Sequence, residues 1–198
     1  MIDVCLGTRT AWKILAILCE SPGKAVPRKE IRKFTMAGNK ALAKFLLLME
    51  KFGIITSAKF GKAYYYKLNL SSPYAEKILE TLSIEKRELN NPDIFALNEL
   101  REFVYELTNV NLENLDRIIL FGSYAKRTYG KDSDIDVAVI LNRKSNDEEL
   151  VIADIIGRLG KRFGKEIQAH YYTSEEFDRI KGKDRRAGDI AKDGIRLM

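Results

Sequence analysis

The sequence predicts two modules, a helical N-terminal module closed by a β-hairpin and a C-terminal α/β (α+β) module built on a mixed sheet. Three observations predict this. Residues 8–70 carry a net charge of +10, whereas residues 91–198 carry −2. Apolar residues recur at helical spacing through the first fifty residues and then give way to a hairpin pattern. Beyond residue 111, short apolar runs alternate with helical segments, the signature of strands separated by helices. The expected bounds are 1–70 for the first module, 71–110 for a helical connector and 111–198 for the second module.

Each element has its local reason. Trp12, Leu15, Ala16 and Cys19 mark a first helix, stopped by Ser21-Pro22-Gly23. Pro27 suits the first turn of a short helix reaching Phe34, and Met36-Ala37-Gly38 forms a turn. Leu42, Phe45, Leu46 and Met49 line a third helix from Asn39, with Gly53 as its cap. Ile54–Thr56 and Tyr64–Leu68 then pair as a hairpin around an Ala58–Lys62 tip. Ser71-Ser72-Pro73 and Asn91-Pro92 start two connector helices, the second showing Ile94, Leu97, Leu100, Val104 and Leu107 on one face. In the last module, strands are expected at Arg117–Phe121, Ile135–Leu141 and Glu166–Tyr172, with an edge strand at 195–198. Helices are expected near Tyr124–Tyr129, over 147–163 with Gly164 as cap, after a Thr173/Glu176 capping box, and over 184–192.

Composition narrows the classes. In 198 residues, 45% hydrophobic and 31% charged side chains describe a folded chain rather than a disordered one. No apolar run approaches the roughly 18 residues of a membrane span, and Met1-Ile2-Asp3 is no basic leader. Two cysteines, Cys5 and Cys19, with one histidine, His170, make neither a disulfide framework nor a standard structural zinc site. A cytoplasmic protein without membrane association is expected.

Chemistry concentrates in Phe121-Gly122-Ser123-Tyr124-Ala125-Lys126 and in Ser133-Asp134-Ile135-Asp136. A strand ending in Gly-Ser and passing directly into a helix offers free N–H groups and a positive dipole end, which suit phosphate. Ten residues after Ser123, Asp134 and Asp136 share one side of the next strand, roughly 6.5–7 Å apart. Two carboxylates there can share a divalent cation, while Ile135, Val137 and Val139 pack on the other side.

Gly-Ser, ten residues and Asp-x-Asp between apolar strands resemble the signature of minimal nucleotidyltransferases in the DNA polymerase beta superfamily, over about 113–198. The resemblance implies that Gly122 and Ser123 hold a nucleoside triphosphate, with ATP expected, and that Asp134 and Asp136 bind Mg2+. Lys126 stands where the family usually has Arg and would meet phosphate as a point charge, and Ser133 precedes the first metal carboxylate and shapes its turn. Arg127 replaces a usual Gly. At the third carboxylate position the best alignment places Gln168, which brings neither charge nor base, with Glu166 and His170 on the same strand face as substitutes. The implied reaction moves a nucleoside monophosphate to an acceptor hydroxyl. Minimal members of the family often act as antitoxins that modify a HEPN-class ribonuclease, so a protein acceptor of that kind is implied. Gln168 favours the alternative, a DNA-binding regulator with a catalytically silent nucleotide-sensing domain.

The first module looks like a winged helix-turn-helix. That likeness implies duplex DNA as partner, with Asn39, Lys40 and Lys44 entering the groove from the third helix. Arg28, Lys29, Arg32 and Lys33 would contact phosphates, and Lys59 and Lys62 would follow the backbone from the wing. Homodimerisation or protein docking are the other uses of such a module.

Overall fold

The computed structural model describes residues 6–198. Met1-Ile2-Asp3 and Cys5, which figure in the leader and cysteine expectations, lie outside the described residues. Contacts divide the chain into a unit ending at Glu85 and a unit starting at Lys86.

The first unit contains α1 (Arg9–Cys19), β1 (Val26–Pro27), α2 (Arg28–Thr35), α3 (Asn39–Lys51), β2 (Ile55–Phe60) and β3 (Ala63–Leu68). The order is that of a winged helix-turn-helix. Leu42, Phe45, Leu46 and Met49 of α3 are buried as expected. The buried face of α1 differs in part. It is Ala11, Ile14, Leu15, Ala16 and Leu18, so Leu15 and Ala16 are buried as expected, while Trp12 is 37% exposed. Ile14 and Leu18 lie one turn apart beside Leu15 and complete a more continuous apolar stripe than Trp12 and Cys19 could. The strands pair antiparallel in the order β1-β3-β2. Phe60 pairs with Ala63, so only Gly61 and Lys62 form the tip, shorter than the Ala58–Lys62 tip expected. The left-handed φ of +59° at Gly61 closes that two-residue turn. Along β3, Tyr66 is buried and Tyr64 exposed, so this stretch of tyrosines packs the hairpin rather than presenting a flat aromatic platform.

The division of the chain falls within α4 (Pro73–Glu88). The next helix, α5 (Ile94–Thr108), was expected in a connector, but it belongs to the second core. Leu100, Phe103 and Leu107 pack with Ile118, Leu120 and Val137 of the sheet. Phe103 takes the core position expected of Val104. The Asp93 carboxylate caps α5 by accepting from the N–H groups of Phe95 and Ala96.

The rest of the second unit runs β4 (Leu115–Leu120), α6 (Gly122–Ala125), β5 (Ile135–Leu141), α7 (Asn146–Phe163), β6 (Ile167–Thr173), α8 (Ser174–Ile180), α9 (Arg185–Asp193) and β7 (Ile195–Arg196). The sheet order is β6-β5-β4-β7. β5 runs parallel to β6, and β4 runs antiparallel to both β5 and β7, giving the mixed sheet expected. Ile135, Val137 and Val139 face a core shared with α5 and α7. Ala138 and Ile140 face the other way, against Phe177 of α8 and Ala187 and Ile190 of α9. This second apolar layer stops short of the start of β5, which leaves that end of the face open.

Glu99 on α5 is 1% exposed, and its Oε1 has no hydrogen-bond partner. Burial pushes its pKa up to about 7, with Asp93 adding to the rise and Lys165 opposing it. The folded state therefore binds this proton more tightly than the unfolded chain. Stability conferred by the protonated acid should fall as pH rises from about 4.5 to about 7, by at most ~3 kcal/mol. Glu99→Gln, which mimics the protonated acid, should flatten this fall, as denaturant unfolding at pH 5 and pH 8 would show.

Candidate active site

The site forms where β4 ends and β5 and β6 begin. The antiparallel β4–β5 pairing puts both sides of the motif at the same end of the sheet, and the Phe121 N–H donates to the Asp136 carbonyl at 3.0 Å. Gly122 follows with φ +68°. A Cβ on Gly122 would collide with the Asp136 carboxylate. Glycine is required twice there, for its left-handed backbone and for the close approach. Thr128 N–H donates to the Ser123 carbonyl at 2.8 Å, folding the chain back after α6. The Ser133 hydroxyl accepts from the Gly130 N–H at 2.8 Å, so Ser133 shapes the turn before Asp134.

The parallel register pairs Asp136 with Gln168 and Ala138 with His170. Gln168 and His170 each face one of the carboxylates, and Gln168 bonds to its own. Gln168 Nε2 donates to Asp134 Oδ2 at 2.7 Å. An ionised third carboxylate could not make that bond, because it has no proton to donate. His170 Nε2 lies 3.9 Å from Asp136 Oδ1, beyond hydrogen-bond reach. Glu166 contributes its backbone carbonyl to the Ile135 N–H at 2.8 Å, and its side chain makes no bond to the two aspartates.

Arg186 of α9 places Nη1 3.1 Å from His170 Nδ1. A guanidinium can only donate, so Nδ1 is the lone-pair nitrogen and Nε2 carries the proton. Burial and the Arg186 charge lower the His170 pKa, while Asp136 opposes them. The ring is thus held neutral, with an N–H rather than a lone pair towards Asp136. The Asp136 pKa is raised by burial and by Asp134, against the pull of His170 and Arg186.

A divalent cation fits the two aspartates. Among the described residues no donor makes a hydrogen bond to the Asp136 carboxylate, and its burial leaves the negative charge poorly compensated. Among the described residues, however, no group of three or more acidic, histidine or cysteine side chains could hold a metal. The donor set is two carboxylates and an amide, which needs oxygens from a ligand to complete a shell of six.

Lys126 is placed differently from the expected phosphate contact. Its Nζ lies 2.8 Å from Asp189 and 3.5 Å from Asp193, both on α9. The open cleft beside the site, about 860 Å3, is lined by Gly122, Asp136, Gln168 and His170. Tyr172, Arg185, Arg186 and Asp189 also line it. Arg186 and Asp189 carried no signal in the sequence. They lie some fifty residues from the motif, on a helix whose pattern announces only an amphipathic surface.

In the first unit, Arg28 and Arg32 converge on Asn39. Arg28 donates to its backbone carbonyl at 3.5 Å and Arg32 to its side-chain oxygen at 3.3 Å. These three residues, with Lys29, Lys33 and Lys62, line a basic cleft of about 820 Å3 between α2 and the hairpin tip. Lys40 and Lys44 are exposed on α3 outside this cleft, and Lys59 lies over the Tyr64 ring.

Residues 97–196 match the nucleotidyltransferase domain family, just over half of the chain, and the chain belongs to that family. The match starts within α5, in keeping with that helix's place in the second core. Two proteins of Methanocaldococcus jannaschii with the provisional name protein adenylyltransferase are similar to it. One is 40% identical over 42 residues, 21% of this chain and 42% of the relative. This chain therefore spans less than half of that relative's length. The other is 34% identical over 80 residues, 40% of this chain and 76% of the relative. A crystal structure of NadR in complex with 4-hydroxyphenylacetate is 21% identical, with a TM-score of 0.36 over 54% of this chain and 76% of that one. No described helix is long and apolar enough to cross a membrane.

Gly122→Ala should leave the helix and strand content unchanged by circular dichroism but push the Asp136 carboxylate out of place. Triphosphate affinity in the presence of magnesium should fall by roughly tenfold or more in a calorimetric titration.

Proposed function

We propose that this chain transfers a nucleoside monophosphate from a nucleoside triphosphate, with ATP as the expected donor, to an acceptor hydroxyl. The observation that carries the reading is the approach of Gly122 to Asp136, which brings a phosphate-binding turn against paired carboxylates. Gly122 and Ser123 would hold the phosphates at the start of α6, and Asp134 and Asp136 would hold magnesium together with the nucleotide. The ion would neutralise phosphate charge as the acceptor oxygen bonds to the α-phosphorus and pyrophosphate leaves. Gln168 would keep Asp134 oriented, and His170 would offer its Nε2–H to the phosphates rather than act as a base. Deprotonation of the acceptor then falls to solvent or to the acceptor's own surroundings, so turnover should be slow. The names of the two relatives support a protein acceptor, and a HEPN-class ribonuclease is the partner the sequence resemblance implies.

A second reading has its own observation. Gln168, which the sequence resemblance puts at the third carboxylate position, pairs with Asp136 across the strands and donates to Asp134. This favours a silent nucleotide sensor coupled to a DNA-binding winged helix. The basic cleft of the first unit supports duplex DNA as the partner in either case.

Incubation with labelled nucleoside triphosphates, magnesium and cell extract should yield labelled protein or RNA. The yield should vanish in Asp134→Asn and Asp136→Asn. Magnesium-dependent triphosphate binding without any labelled product would instead support the sensor. For the first unit, duplex DNA affinity should fall steeply with salt, and it should drop in the Arg28→Ala/Arg32→Ala and Lys40→Ala/Lys44→Ala variants. Absence of salt-dependent binding at low ionic strength would assign the module to protein docking.

A further inference from the structure

We propose that Arg186, rather than Lys126, is the side chain that takes up the charge of the bound triphosphate, and that Lys126 ties α9 to the phosphate loop. This rests on the triphosphate-binding reading above and changes which cation serves it. Lys126 follows the phosphate turn in sequence, but its ammonium lies between Asp189 and Asp193. Drawing it towards a phosphate would take two carboxylates of α9 out of their ion pairs, facing a ligand of about four negative charges.

Arg186 has no such obligation. Its hydrogen-bond partners are the neutral His170 ring and Tyr172, and among the described residues it makes no ion pair. Turning it to a phosphate breaks no ion pair among the described residues. It lines the same cleft as Gly122 and Asp136. A guanidinium has five donors in a planar fork, so it can engage phosphate oxygens in pairs. Contact with His170 holds that fork at the carboxylate end of the cleft before any ligand arrives. The two cations thus divide the work on one helix. Lys126 fixes α9 against α6, and α9 in turn delivers Arg186.

Calorimetric titration of the full chain with a non-hydrolysable nucleoside triphosphate, the matching monophosphate and inorganic tripolyphosphate, all with magnesium, tests this. Arg186→Gln should weaken both triphosphate ligands by roughly tenfold or more and collapse the preference over the monophosphate. Arg186→Lys should recover part of the loss, and Lys126→Gln should cost less than about threefold more in the Arg186→Gln background. A further loss of roughly tenfold when Lys126→Gln is added to Arg186→Gln overturns the proposal, as does an Arg186→Gln loss equal for triphosphate and monophosphate, which would mark a merely structural role. If the unaltered chain binds no triphosphate at all, the nucleotidyl-transfer reading itself fails, a result distinct from failure of the Arg186 assignment alone.

Discussion

The carboxylate of Asp136 occupies the space where a side chain on residue 122 would be. That exclusion ties the end of one strand to the start of the next. It demands glycine at 122, the left-handed turn into α6, and an antiparallel β4–β5 register that puts the turn and the carboxylate at the same end of the sheet. Ile135, Val137 and Val139 anchor β5 from beneath. Because they are fully buried, β5 cannot slip by one residue without bringing Asp136 into the core.

Around that contact the electrostatics are arranged by groups without negative charge. Gln168 stands beside Asp134 as a donor, and His170 stands beside Asp136 as a neutral ring whose tautomer Arg186 sets. A third carboxylate would have added a metal ligand and further repulsion of phosphate. On the proposed reading, Gln168 in its place would lower the site's hold on a bare cation and leave more of that hold to the triphosphate. The second apolar layer, Phe177, Ala187 and Ile190 over Ala138 and Ile140, positions α9 so that its polar side borders the cleft.

What could be read from the sequence divides along physical lines. The Gly-Ser turn, the Asp-x-Asp spacing and the position of Gln168 were legible because local geometry and strand alternation determine them. The helices and hairpin of the first unit were legible for the same reason, through Gly61 and the apolar face of α3, but Pro27 precedes α2 as its N-cap and belongs to β1, a strand that was not expected. Tertiary facts were not. The membership of α5 in the second core depends on what packs against Phe103 and Leu107, and Asn98, Glu99 and Glu102 are buried there against the expectation for polar side chains. The engagement of Lys126 by Asp189 and Asp193, and of His170 by Arg186, depends on how α9 docks on the sheet. No periodicity encodes that docking. The face of α1 was misread because Trp12 and Cys19 fit the helical period nearly as well as Ile14 and Leu18.

A site of two paired carboxylates with Gln168 beside them should bind metal chiefly together with a triphosphate. Titration of the full chain with Mn2+ as a paramagnetic stand-in for magnesium, with and without a non-hydrolysable nucleoside triphosphate, tests it most directly. The ion alone should bind weakly. With the triphosphate present, the protein should hold the ion–nucleotide complex roughly tenfold or more tightly than the bare ion. Tight stoichiometric binding of the ion without nucleotide, or triphosphate binding indifferent to the ion, would contradict it.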